Sequence, residues 1–274
     1  MPHDHSLRAP SVLLGLCLVL AGCGERVAQQ VTVEQHALLS DVTPAQWQTL
    51  AGRRIFFGHQ SVGGNIMAGV ADLLKANPQI RLKVVETAEA DSNSGPGFYH
   101  ALVGRNGDPQ SKTDAFVRSA GRLGGGVAML KYCYVDVNEQ TDPAQLFEQY
   151  RRAVEDLRAR HPGLTIVHVT LPLQIVENWK GILAAKLRGR TTFRDLDAIR
   201  NRYNALLRAS YVHDPIFDLA KIESTHADGS RSFFVRGRDT VYALADELTS
   251  DGGHLNEVGR RAAAEQLLVL LARL

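Results

Sequence analysis

Arg54-Ile55-Phe56-Phe57-Gly58-His59-Gln60-Ser61-Val62-Gly63-Gly64-Asn65 changes character halfway along. Arg54 to Phe57 is a compact apolar run that stops at a glycine, as a strand buried on both faces does. From Asn65 to Asn77, Ile66, Val70, Leu73 and Leu74 recur at helical spacing, and Pro78 closes the segment. The expected unit is a strand, a glycine-rich turn carrying Ser61, and a helix.

The same alternation extends outward. Before it, Thr43-Pro44 reads as an N-cap with proline at the first helical position. After it, strands are expected at Ile80 to Val85, Val127 to Val135, Leu164 to Leu171 and Ile216 to Leu219. Helices are expected at Thr113 to Leu123, Pro143 to Arg160, in material ending in Asp195 to Tyr211, and at His254 to Leu274. Apolar strands alternating with amphipathic helices predict an α/β fold: a three-layer α/β/α sandwich around a parallel sheet of about five strands. No period of 20 to 50 residues recurs, so residues 43–274 are read as one domain. Two long connections, Ala88 to Lys112 and Lys221 to Gly253, would begin at the carboxyl edge of the sheet, where open parallel sheets bind ligands.

At the N terminus, Arg8 precedes an uncharged apolar run, Ser11 to Leu20, with the length of a signal-peptide core and too short to span a bilayer. Its end, Leu20-Ala21-Gly22-Cys23, resembles the lipobox of bacterial lipoproteins. That resemblance implies a signal peptide over residues 1–22, acylation of Cys23 and a tether over residues 23–42. The expected location is the bacterial cell envelope, facing the periplasm or cell surface, with the outer membrane favoured by Gly24 in a Gram-negative cell. Of the three cysteines, Cys17 would leave with the signal and Cys23 would be acylated, so Cys133 has no disulfide partner. With 31 basic residues against 29 acidic ones, the +2 balance gives no argument for a nucleic-acid partner.

Ser61 sits where the first N–H groups of the following helix lack intrahelical partners, and the helix dipole favours negative charge there. The second informative stretch is Asp251-Gly252-Gly253-His254-Leu255-Asn256. A neutral imidazole takes a serine proton only in the correct tautomer, which a carboxylate on its other nitrogen enforces. Ser61, His254 and Asp251 are therefore candidates for nucleophile, base and orienting group. His100, His213 and His226 show no metal-type spacing with one another or with cysteine, and no metal or cofactor is expected.

With these motifs, the chain resembles the SGNH hydrolases, also called GDSL-like esterases and lipases, over roughly residues 53–274. The resemblance implies a flavodoxin-like sheet with the nucleophile after the first strand, an oxyanion glycine after the second, an asparagine after the third, and an Asp-x-x-His motif near the C terminus. Ser61 matches the nucleophile by position, and Asp251 to Asn256 match the last motif. Gly58 is separated from Ser61 by His59 and Gln60, one residue more than in the family, and His59 either contacts substrate or fills the turn. Gly104 and Gly107 are both candidates for the second-strand glycine. The third strand continues as Lys131-Tyr132-Cys133-Tyr134-Val135-Asp136 without the expected Gly-x-Asn, and Asn65 or Asn106 could replace that donor.

What the resemblance implies is ester hydrolysis through an acyl-serine intermediate, with the Ser61 N–H and a loop glycine at the oxyanion. Placed in the envelope, the expected substrate is an ester such as an O-acetyl group on polysaccharide. Acyl transfer to another hydroxyl is the variant. The alternative from a different class is a non-catalytic lipoprotein that binds glycan or a protein partner.

Overall fold

The computed structural model describes residues 37–274. The expected signal segment, Cys23 and the first part of the expected tether lie outside the described residues. Residues 37–42 rest on the C-terminal helix, where the Leu39 N–H donates to Glu265 and Gln266 donates to the Ala37 carbonyl.

Helix α1 (Pro44–Ala51) starts at a reciprocal cap: Thr43 accepts from the Gln46 N–H, and the Gln46 side chain takes the Thr43 N–H. There follow β1 (Arg54–His59), α2 (Val62–Ala76), β2 (Val84–Glu86), β3 (Gly97–Leu102), α3 (Pro109–Leu123) and β4 (Gly126–Leu130). Next come α4 (Pro143–Arg160), β5 (Leu164–Val169), α5 (Trp179–Leu187), α6 (Phe193–Ser210), β6 (Ile216–Phe217) and α7 (Leu219–Glu223). An antiparallel hairpin, β7 (Phe233–Arg236) and β8 (Asp239–Tyr242), precedes the closing helix α8 (Glu257–Arg273).

Six strands form one parallel sheet in the order β2-β3-β1-β4-β5-β6. β1 is central, with Phe56 opposite Tyr99 on one side and Ala128 on the other. Strand alternation sends Ile55, Phe57, Val127 and Met129 into a core under α1, α2, α7 and α8. Phe56, Ala128, Leu130 and Ile166 go into a second core under α3, α4 and α6. Because both faces are covered, the strands carry unbroken apolar runs. The close approach of α2 and α8 on the first face depends on Gly69 of α2, where an added Cβ would lie 2.3 Å from the Arg260 carbonyl oxygen of α8.

The layered α/β/α arrangement is the expected one, and its strand count and two connections differ. The extra strand is β3, inside the expected loop Ala88 to Lys112. Tyr99 and His100 interrupt its apolar run, but Phe98 and Tyr99 are buried as it inserts between β2 and β1. α3 begins earlier than Thr113, because Asp108 caps it by accepting from the Ser111 N–H. The second expected loop contains the β7–β8 hairpin. The third expected strand ends at Leu130, short of Val135, and the chain there turns across the carboxyl edge of the sheet.

Candidate active site

Beyond β1 the chain turns through Gln60 and Ser61 into α2. Ser61 has φ +50°, the one positive φ at a non-glycine position among the described residues. As N-cap of α2 it makes no side-chain cap bond. Its hydroxyl reaches across the sheet edge instead, with Oγ 2.6 Å from His254 Nε2. The turn is tight enough to need glycine at position 63, where a Cβ would fall 2.3 Å from His59 Cβ.

His254 lies in the turn before α8. Asp251 Oδ1 accepts the N–H groups of Gly253 at 3.0 Å and His254 at 2.8 Å, and its Oδ2 lies 2.7 Å from His254 Nδ1. A carboxylate only accepts, so Nδ1 carries the proton and Nε2 presents its lone pair to Ser61. The His254 backbone N–H leads the contacts that hold the Asp251 carboxyl down at about 2, against a smaller opposing effect of burial. Thr249 braces the turn by donating to the His254 carbonyl at 2.6 Å.

The other residues singled out from sequence are distributed around this pair. Gln60 Nε2 donates to the carbonyls of Val103 at 3.3 Å and Gly104 at 3.0 Å, tying the loop after β3 to the serine turn. The Gly107 N–H is taken by Asp136 Oδ1 at 2.8 Å, whereas Gly104 is held at the turn through its carbonyl and its N–H has no partner among the described residues. Asn106 accepts from Lys112 Nζ at 2.9 Å through its carbonyl oxygen, and its amide hydrogens have no partner among the described residues. Asn65 lies in α2 with a buried Oδ1 that has no partner among the described residues. His59 is only 2 % exposed and lies beneath the turn, its Nε2 3.1 Å from His100 Nδ1. Burial, then the charges of Lys131 and His100, push it down to about 3, so it is neutral at physiological pH.

Sequence reading passed over Tyr134. Leaving β4, residues 131–136 are clamped from two sides. The buried Lys112 Nζ meets Asp136 at 2.6 Å, and Asp136 also accepts the Cys133 N–H at 2.7 Å. The buried Arg200 donates to the Tyr134 carbonyl at 3.0 Å, to Gln174 at 2.8 Å and to Asp197 at 2.6 Å. So held, the Tyr134 ring stands edge-on to His254, with centroids 5.6 Å apart and planes at 72°. The signal in the sequence was Lys131 within an expected buried strand and Asp136 directly after it, since charged groups are rarely buried without a partner.

Among the described residues, no group of three or more His, Cys, Asp or Glu side chains is placed to hold a metal ion. A groove of about 1040 Å³ between α6 and the hairpin, lined by Asp195, Arg202, Arg236 and Arg238, contains none of the residues above.

No family model matches this sequence, and no curated protein does. Solved structures do. A candidate GDSL-like lipase from Parabacteroides merdae superposes with a TM-score of 0.51 at 11% identity, over 79% of this chain and 94% of that one. A lipase/acylhydrolase from Enterococcus faecalis gives 0.47 at 13% identity, over 81% and 94%. A member of the lipolytic G-D-S-L family from Veillonella parvula gives 0.44 at 14% identity, over 80% and 98%. At these identities the likeness is one of fold: the chain has the helix-flanked parallel sheet of the GDSL-like hydrolases.

Proposed function

We propose that this chain is a serine ester hydrolase of the bacterial cell envelope, with Ser61 as nucleophile, His254 as base and Asp251 as its orienting carboxylate. The observation that carries the reading is the unbroken chain of two short hydrogen bonds, 2.6 Å from Ser61 to His254 and 2.7 Å from His254 to Asp251. Ser61 Oγ attacks the acyl carbon as its proton passes to His254 Nε2, and Asp251 stabilises the resulting imidazolium. His254 then returns the proton to the departing alcohol, leaving an acyl-serine that water clears by the same steps. In this reading the N–H groups of Ser61 and Gly104 donate to the oxyanion, and Asn106 is a candidate side-chain donor from the same loop as Gly104.

The side chains of His254 and Asp251 are 42% and 56% exposed, an open setting that suits a short acyl group on a bulky alcohol better than a long acyl chain. An O-acetyl group on envelope polysaccharide fits that geometry. Hydrolysis of 4-nitrophenyl acetate should fall to background in both Ser61→Ala and His254→Ala. An active His254→Ala protein refutes the assignment of base. The envelope address rests on Ser11 to Cys23: the full chain should fractionate with membranes and Cys23→Ser should not, and equal membrane recovery of both would remove the anchor from the reading.

A further inference from the structure

Three segments meet at the serine: the turn after β1, the turn before α8, and residues 131–136 after β4. The third brings a polar side chain that the chemistry proposed above leaves unused. Tyr134 Oη stands 3.5 Å from Nδ1 and 3.4 Å from Nε2 of His254. A hydroxyl almost equidistant from both ring nitrogens is aligned with neither in-plane direction, and long, misaligned contacts are weak. Each nitrogen also has a nearer partner, Asp251 at 2.7 Å and Ser61 at 2.6 Å. The phenol is therefore held only weakly by the ring, and its other hydrogen-bond partner is Ser61, the nucleophile itself.

The phenol is also held in place. Arg200 fixes its backbone carbonyl, Asp136 fixes the preceding N–H, and the ring lies against Gly253, where a Cβ would come within 3.0 Å of Cζ. Burial, followed by the charge of Asp251, raises its pKa above the ordinary tyrosine value, and Ser61 is among its polar neighbours. It thus remains a donor at any pH where His254 acts as base. A fixed donor at a site of developing negative charge is what stabilises an acyl-transfer transition state, because little reorganisation is needed as the charge forms.

We propose that Tyr134 is an oxyanion donor, taking the part that the resemblance assigned to an asparagine after this strand. The inference rests on the hydrolase reading. When the Ser61 Oγ–carbon bond forms, the carbonyl π pair moves onto the carbonyl oxygen, and the Tyr134 O–H donates a hydrogen bond to that oxyanion without giving up its proton. When the pair returns, the bond to the leaving alcohol breaks, and the alcohol takes the proton held by His254.

The test is steady-state hydrolysis of 4-nitrophenyl acetate across pH by wild type, Tyr134→Phe and Ser61→Ala, with the end-point of fluorophosphonate labelling as a check that the phenylalanine variant keeps a folded site. Tyr134→Phe should label to completion, lose about a hundred- to a thousandfold in kcat with little change in KM, and keep the acid limb of its pH profile. A rate within a few-fold of wild type overturns the inference. So does a loss accompanied by a displaced acid limb, since the phenol would then be a positioning residue acting through His254. If wild type is no faster than Ser61→Ala, the hydrolase reading fails and this inference with it, an outcome distinct from an active wild type with an equally active Tyr134→Phe.

Discussion

Ser61 holds a backbone conformation that serine rarely adopts, φ +50° with ψ −112°. Angles of this kind cost about 1–3 kcal/mol and persist where surrounding packing over-determines them. Here the anchors are Val62 and Ile66 of α2, both fully buried, and the close fit of Gly63 on His59. The strain turns the hydroxyl away from capping its own helix and toward His254. Ser61→Gly should therefore be more stable than Ser61→Ala by about 1 kcal/mol in urea unfolding, since both lose the hydroxyl and only glycine relieves the angle. Equal midpoints would show that the turn is unstrained. The serine, the histidine and its carboxylate were legible in sequence because each sits in a short motif whose chemistry is local. Tyr134 was not, because Lys112 and Asp136, 24 positions apart, and Arg200, 66 positions beyond the tyrosine, decide where its ring points.

Elements were legible where their end signals are local. Thr43 caps α1 and Asp142 caps α4, each with a side-chain bond to the first turn. Those bonds depend on residues two or three positions away, so sequence order is enough to find them. β3 lacked such a signal, since its six residues include a tyrosine and a histidine and follow a Gly- and Ser-rich stretch. Its identity as a strand comes from its neighbours: Phe98 pairs with Ile55 on one side and Val84 on the other. β4 shows the converse. The apolar pattern runs on past Leu130, but the Lys112–Asp136 pair draws the following residues off the sheet and makes them part of the site.

Across the whole molecule, buried ionisable groups of opposite tendency set the pH response. His59 and His168 are pushed down to about 3 and about 4 from 6.5, mainly by burial. The unfolded chain binds protons there that the folded chain refuses, so stability falls as pH drops below about 6.5 toward those values. Glu223 is pushed up by burial to about 8 from 4.5, and Asp197 likewise to about 7 from 3.8. The folded chain keeps protons there that the unfolded chain has lost, so stability falls as pH rises toward 8. The two tendencies offset each other between about 4.5 and 6.5, where the urea midpoint should be highest. Glu223→Gln should flatten the decline between pH 6.5 and 8, where each such group contributes up to about 1.4 kcal/mol per pH unit. An unchanged slope would mean that Glu223 is not neutral in the folded protein.

The linear order of residues was enough for the layered α/β/α architecture, the serine turn and the Asp-x-x-His turn, because hydrophobic period, helix caps and short motifs are interactions between near neighbours. It was not enough for the insertion of β3 beside β1, the engagement of the Gly107 N–H, the retreat of His59 beneath the turn, or the placing of Tyr134 against His254. Each of those is settled by contacts between distant segments: strand pairing on both sides of β3, Asp136 taking the Gly107 N–H, His100 meeting His59, and the buried Lys112–Asp136 pair with the hydrogen bonds of Arg200 aiming one loop. Burial is what gives such contacts authority, since a polar group removed from water is costly unless a partner, however remote in sequence, meets it.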